Sequence, residues 1–195
     1  MAVDTKLIAQ LREQTGAGVL EAKKALEETS NDYDKAVDLL RKRGAKVAAK
    51  KAERVTSEGL VEAYVHGAGR VGVLVRVNCE TDFVARTDKF KELAHQIAMH
   101  IAAFDPQYIS RADVPADAIT REKAVHMAVL EKEGKPAEMA EKILAGKIDK
   151  FYAEVCLLEQ GFVMDDKRSV QDIIQEKIAE LGENIQVSAF KRISL

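Results

Sequence analysis

Four valines at every second position, Val71, Val73, Val75 and Val77, constrain this chain more than any other feature. Only a strand sets alternate residues on one face, so the stretch reads as a half-buried strand. Leu60 to His66 precedes it across Gly67-Ala68-Gly69-Arg70, which makes the pair a hairpin. After Asn78 the period changes. Thr87 reads as the N-cap of a helix with the apolar stripe Phe90, Leu93, Ala94, Ile97, Ala98 and Ile101. In between, Asp82 and Phe83 sit on a short connection that fits neither period. Connections run over the surface, so a large aromatic there either folds back into the core or faces a partner. Pattern alone leaves both readings open.

The segment before the hairpin reads as three short helices. Val3, Leu7, Ile8 and Leu11 mark the first, broken by Thr15-Gly16-Ala17-Gly18. Val19, Ala22, Ala25 and Leu26 form the apolar side of the second. Ser30-Asn31-Asp32 offers capping oxygens for a third, with face Ala36, Val37 and Leu40, ended by Gly44. So few apolar residues make a small core, suited to docking rather than to a pocket for chemistry. A basic, alanine-rich connector follows. Arg41, Lys42, Arg43, Lys46, Lys50, Lys51 and Arg54 lie close together against one acid, Glu53. That is the best nucleic-acid signal in the chain, but no aromatic for stacking lies near it, and a solvated linker helix is the simpler reading.

Past the hairpin, the long helix stops at Asp105-Pro106, and helical segments fill 118–133, 136–145 and 148–158. Gly134-Lys135-Pro136 and Gly146 punctuate them, with Pro136 at a first helical position. Ser169-Val170-Gln171-Asp172 opens another helix with capping-box spacing, and Gly182 closes it. From Ile185 to Leu195 period two returns, adding a strand beside the hairpin. The predicted class is α+β: a three-helix module over 1–44, a connector over 45–57, and over 58–195 an antiparallel sheet covered by helices.

Composition narrows the function. No basic-then-apolar leader and no apolar run of spanning length is present, so neither export nor membrane insertion is expected, and Met1 at the start speaks against an organellar form with its leader removed. Cys79 and Cys156 form no Cys-x-x-Cys pair and read as reduced, apolar core residues. A net charge of −2 argues against nucleic acid as the main partner. Gly67-Ala68-Gly69-Arg70-Val71-Gly72 spells G-x-G-x-x-G, but a dinucleotide motif must open a helix, and this one opens a strand. Thr15-Gly16-Ala17-Gly18 lacks the Gly-Lys-Ser/Thr ending that cradles phosphates. His95 and Met99 share a helix face, yet no histidine has metal-ligand spacing. No nucleophile sits in an elbow, and Asp165-Asp166 lies in a turn-like region. An enzyme, a metal or a cofactor is not expected.

The connection at the sheet–helix switch carries more. Asn78-Cys79-Glu80-Thr81-Asp82-Phe83-Val84-Ala85 resembles the signature of the elongation factor Ts family, nucleotide-exchange factors for the translational GTPase elongation factor Tu. Leu11 through Gly18, Lys23-Lys24-Ala25-Leu26, Leu157-Leu158-Glu159-Gln160, and Ile178 through Gly182-Glu183-Asn184-Ile185 are similar to family motifs and stand in family order. The resemblance spans essentially the whole chain, is to the short bacterial form, and likens the N-terminal module to a ubiquitin-associated domain.

That resemblance implies three contacts with elongation factor Tu in its nucleotide-free form. Asp82 and Phe83 would push between helices near the GTPase's magnesium site, with Thr81 and Val84 shaping the projection. His66 and Gly67 match a second contact element, and Val19 and Leu20 match the docking loop of the N-terminal module. Each has a plainer reading: His66 caps the hairpin, and Val19 belongs to the core.

Longer family members carry two related core halves, whereas this chain holds motifs of both in one copy. The resemblance therefore implies a homodimer, with the C-terminal strand offering an edge for pairing. Gly161 also departs from the proline usual after Leu-Leu-Glu-Gln. Without the resemblance, the rivals would be an RNA-associated protein using the Arg41–Arg54 stripe and an adaptor gripping another protein through its helical module.

Overall fold

The computed structural model describes residues 3–133 and 136–195. Three helices open the chain: α1 (Thr5–Thr15), α2 (Val19–Glu28) and α3 (Tyr33–Lys51). Asp4 caps α1 by accepting from the Lys6 N–H at 2.9 Å, and Gly16 ends it at φ 66°, a conformation that glycine adopts without strain. Asp32 caps α3 through the Lys35 N–H. Leu11, Ala22, Ala25, Leu26, Ala36, Val37 and Leu40 close the small core between them. Val19 does not join them. It stands 50% exposed at the start of α2.

The third helix does not end at Gly44. It continues without interruption to Lys51, so the basic connector is its own second half. A glycine inside a helix costs about 1 kcal/mol relative to alanine. Here tertiary packing outweighs that cost: Gly44 is buried, and a Cβ placed on it would meet Ala179 at 3.7 Å.

The sheet holds β1 (Glu58–His66), β2 (Val71–Cys79) and β5 (Ile185–Ser194), ordered β1-β2-β5 and antiparallel throughout. The alternating valines point one way. Val73, Val75, Val77 and Cys79 are buried against α5 (Asp88–Phe104) and α8 (Val170–Leu181), whose stripes supply Phe90, Leu93, Ile97, Ile101, Ile174 and Ile178. Thr87 caps α5 at 3.3 Å from the Phe90 N–H, and Ser169 with Asp172 forms the capping box of α8. Gly182 closes α8 at φ 80°.

Other expectations need correcting. Asp82–Ala85 is not an irregular connection but a one-turn helix, α4, capped by Thr81. Gly146 does not divide a helix: α7 runs from Ala137 to Val155, packed against α6 (Ala116–Lys132). Nothing lies within 4 Å of a Cβ at Gly146, so the helix there absorbs glycine's backbone cost without local support. Pro136 is the N-cap of α7, one place before the first helical position. Gly134 and Lys135, expected to separate the helical segments on either side of them, lie outside the described residues. Asp165 and Asp166 belong to β4 (Asp165–Ser169), which pairs with β3 (Gly161–Phe162) in a small second ribbon. Among the described residues no helix is long and apolar enough to cross a membrane.

Candidate functional site

At the end of β2 the backbone leaves the sheet and turns at once. Thr81 stops the strand, and its hydroxyl accepts from the Val84 N–H at 3.4 Å. In the single turn that follows, Ala85 is buried and Val84 packs against the main core. The Thr87 hydroxyl donates to the Val84 carbonyl at 2.8 Å, closing the turn from the other side. Phe83 sits between these anchors with nowhere to bury itself. It is 79% exposed, which settles the alternative left open by the pattern: this phenyl ring is not part of its own core. Asp82 beside it pairs with Arg86 at 2.9 Å across one helical turn.

The turn is also held from a distant part of the chain. The Glu183 carboxylate accepts from the N–H groups of Glu80 and Thr81 at 3.1 and 3.0 Å, and from the Thr81 hydroxyl at 2.6 Å. Glu183 lies in a motif noticed in the sequence, but its role was not legible there, because its partners are a hundred residues away.

His66 ends β1, exposed, ahead of a tight turn in which Gly67, Ala68 and Gly69 all take positive φ. The Arg70 N–H donates to the His66 carbonyl at 3.1 Å, so His66 does close the hairpin. Its ring is positioned too: Nδ1 lies 2.9 Å from the Tyr64 hydroxyl, and Tyr64 meets His95 edge to face, with His95 paired to Glu62 at 2.8 Å. Strand alternation could have pointed to Tyr64, two residues before His66 on the same face. The His66–Gly67 turn and the Phe83 turn are not brought together. They flank opposite ends of the nine-residue strand β2, roughly 27 Å apart at about 3.4 Å per residue.

Val19 and Leu20 form a third exposed element at the head of α2. Leu20 is 72% exposed beside the half-exposed Val19, on a module whose other leucine and isoleucine side chains are buried or half-buried. The basic stretch over 41–54 is less free than its composition implied. Arg43 pairs with Glu28 at 2.7 Å, Arg41 approaches Glu176 at 3.9 Å, Arg54 faces Glu80 at 3.5 Å, and Lys51 donates to the Gly182 carbonyl.

Among the described residues no cluster of His, Cys, Asp or Glu has the arrangement to hold a metal ion. Cys79 and Cys156 are buried, and desolvation pushes each thiol up to about 11, leaving both protonated at neutral pH. His100, also fully buried, has a full set of partners: its Nδ1 accepts from the Val163 N–H at 3.1 Å, and its Nε2 meets the Gln160 side-chain oxygen at 2.9 Å.

A family model described as Elongation factor TS matches residues 3–195. Similar proteins cover the chain end to end. Elongation factor Ts of Fervidobacterium nodosum is 51% identical over 195 residues, spanning all of this chain and 99% of its own length. The elongation factor Ts of Moorella thermoacetica is 54% identical over 95% of this chain and 91% of its own. That of Thermotoga maritima is 52% identical over all of this chain and 97% of its own.

Proposed function

The chain belongs to the elongation factor Ts family, and from that premise we infer that it drives GDP release from elongation factor Tu. The observation that carries this reading is Phe83: a large apolar side chain held out into solvent on a capped, doubly anchored turn. A binder speeds nucleotide release only if it favours the nucleotide-free form of its partner. Coupling is reciprocal, so the factor weakens GDP binding and GDP weakens the factor.

Burying one phenylalanine is worth roughly 1.5–3 kcal/mol, which is one to two decades of affinity. That is too little to expel a tightly held nucleotide alone. The remaining contacts supply the rest: Val19 and Leu20 on the helical module, and His66 with Gly67 at the hairpin. Phe83 then acts locally, flanked by Asp82 and shaped by Thr81 and Val84, displacing the helices that order the partner's magnesium ligands. The ion neutralises the phosphate oxygens, and losing it loosens the diphosphate. The chain performs no covalent chemistry in this account and takes no cofactor. Nucleic acid has no part in it, and the compartment is the cytoplasm.

The same reading includes a homodimer. On the outer face of the sheet, Val61, Val65, Leu74 and Ile193 are exposed on all three strands, opposite the buried valines. A second copy would cover this apolar face next to the β5 edge. It would also let one copy present its Phe83 turn while the other presents its His66 turn. A mass that stays monomeric at all concentrations by light scattering contradicts this part. The central test is stopped-flow release of a fluorescent GDP analogue from elongation factor Tu. Release should rise with added factor, and excess GDP should dissociate the complex; a rate independent of the factor refutes the reading.

A further inference from the structure

Gly182-Glu183-Asn184 joins α8 to β5, and each of its residues reaches across the molecule. The last rung between β2 and β5 is Cys79 with Ile185. Beyond it, side chains continue the pairing that the backbone gives up. Glu183 accepts from the N–H groups of Glu80 and Thr81, and Glu80 in return accepts the Asn184 N–H at 2.6 Å. Each acid accepts from the opposite segment, Glu183 from the Glu80 backbone and Glu80 from the backbone of Asn184, the residue after Glu183. Asn184, only 2% exposed, donates its side-chain amide to the carbonyls of Ala52 at 3.3 Å and Arg54 at 2.9 Å. Gly182 offers its carbonyl to Lys51, the last residue of α3.

These bonds do more than finish a sheet. Helix α4 has four residues, too few to hold their own conformation in water. Its orientation must come from outside. Glu183 fixes the Thr81 backbone through one oxygen and the Thr81 hydroxyl through the other, the same hydroxyl that caps α4. A side chain held ready in its working orientation spends less ordering entropy on reaching the exchange transition state, once docked, than a loose one.

We propose that Glu183 is a positioning residue for Phe83, and that through Asn184 the same triplet ties the Phe83 turn to the helix carrying the N-terminal module. This rests on the exchange reading above and deepens it. The module's exposed Val19–Leu20 head and the Phe83 turn then share one anchor, because α3 is continuous from the module to Lys51.

The test is a double-mutant cycle read by stopped-flow release of fluorescent GDP from elongation factor Tu over a range of factor concentrations. Glu183→Ala should lower the saturating release rate by about tenfold, the scale of one hydrogen bond to a charged group. The half-saturating concentration should move by less than about twofold, since the docking contacts are untouched. Glu183→Gln keeps a carbonyl oxygen for both backbone N–H groups and should recover most of the rate. Combined with Phe83→Ala, the Glu183→Ala change should slow release no further. A full additional loss in the double variant, or a wild-type saturating rate in Glu183→Ala, overturns the proposal. A rise confined to the half-saturating concentration also overturns it. If Glu183→Ala does not fold, Glu183→Gln enters the same cycle with a smaller loss, still absorbed by Phe83→Ala. Wild-type release by Phe83→Ala alone refutes the exchange reading of that residue, a result distinct from any failure at Glu183.

Discussion

Helices α4 and α5 begin six residues apart with the same local chemistry and opposite outcomes. Thr81 caps one, accepting from Val84, and Thr87 caps the other, accepting from Phe90. An aspartate follows each cap, Asp82 in one and Asp88 in the other. Aligned by their caps, Val84 in α4 stands where Phe90 stands in α5, and both turn toward the core. Phe83 then stands where α5 has the exposed Lys89. Successive helical residues are about 100° apart, so one step round the helix separates a ring that is fully buried from one that is 79% exposed. A cap determines where a helix starts. Which side chain faces the protein follows from the stripe that can bury, and in α4 that stripe is only Val84 and Ala85. The phenylalanine occupies a position that solvent-facing chemistry would ordinarily fill with a charge.

The largest contrast should come from truncating the two rings. Phe90→Ala opens a cavity beneath the sheet and should lower unfolding free energy by about 3–5 kcal/mol, measured by urea titration. Phe83→Ala removes no internal packing and should leave stability within about 0.5 kcal/mol. Its cost should appear in function instead, as stimulated GDP release slowed by roughly one to two decades, the equivalent of 1.5–3 kcal/mol of lost burial. A destabilised Phe83→Ala with normal release would reverse the assignment of the two rings. Phe83→Lys supplies the residue found at the matching place in α5 and should fold as well as the parent while failing to accelerate release.

Much of this arrangement was legible in the sequence because it rests on local periodicity. The valine alternation, the Thr87 cap, the Ser169–Asp172 box and the return to period two after Ile185 all correspond to elements of the fold. The glycine stops misled in two places, since a single helical glycine costs too little to end a helix that packing or length sustains, as α3 and α7 do. The β3–β4 ribbon escaped notice because Asp165-Asp166-Lys167-Arg168 has no apolar alternation. The direction of Phe83 could not be read either: one turn is too short to establish a period. Glu183 is the sharper case, as hydrogen bonds across a hundred residues leave no trace in spacing.

A smaller effect should distinguish the two caps. Thr87→Ala and Thr81→Ala each remove one hydroxyl–amide cap, worth about 1 kcal/mol, together with the bond the same hydroxyl donates, to the Val84 carbonyl from Thr87 and to Glu183 from Thr81. In α5 the loss should register as stability, because the whole helix belongs to the core. In α4 the Thr81 hydroxyl also donates to Glu183, so the loss should fall mainly on release rate, with the melting temperature little changed. Equal melting shifts in both variants would argue that α4 is held as firmly by its own turn as α5 is.

The gentlest signal should come from the far end of α5. His100 is fully buried, stacked on Phe104 at 4.7 Å and facing Phe162 at 6.0 Å. Its Nδ1 accepts the Val163 N–H, so the neutral ring carries its proton on Nε2 and donates to the Gln160 side-chain oxygen. That oxygen is held in turn, because the Gln160 amide donates to the Glu154 carbonyl at 2.6 Å. A second ring proton would have to point at the Val163 N–H. Burial accordingly lowers the His100 pKa below its usual 6.5, against a smaller opposing pull from Gln160. The folded state then binds fewer protons than the unfolded chain, and stability falls as pH drops through the unfolded value, levelling off below the folded one. Glu176 shifts the other way: burial raises its carboxyl, so protonating it in acid favours the folded state. The two are separated by comparing variants at each pH. His100→Gln should start less stable and lose less between pH 8 and about 5.5 by urea midpoint, since its side chain cannot titrate there. Parallel slopes in the two proteins would place the acid sensitivity elsewhere than on His100.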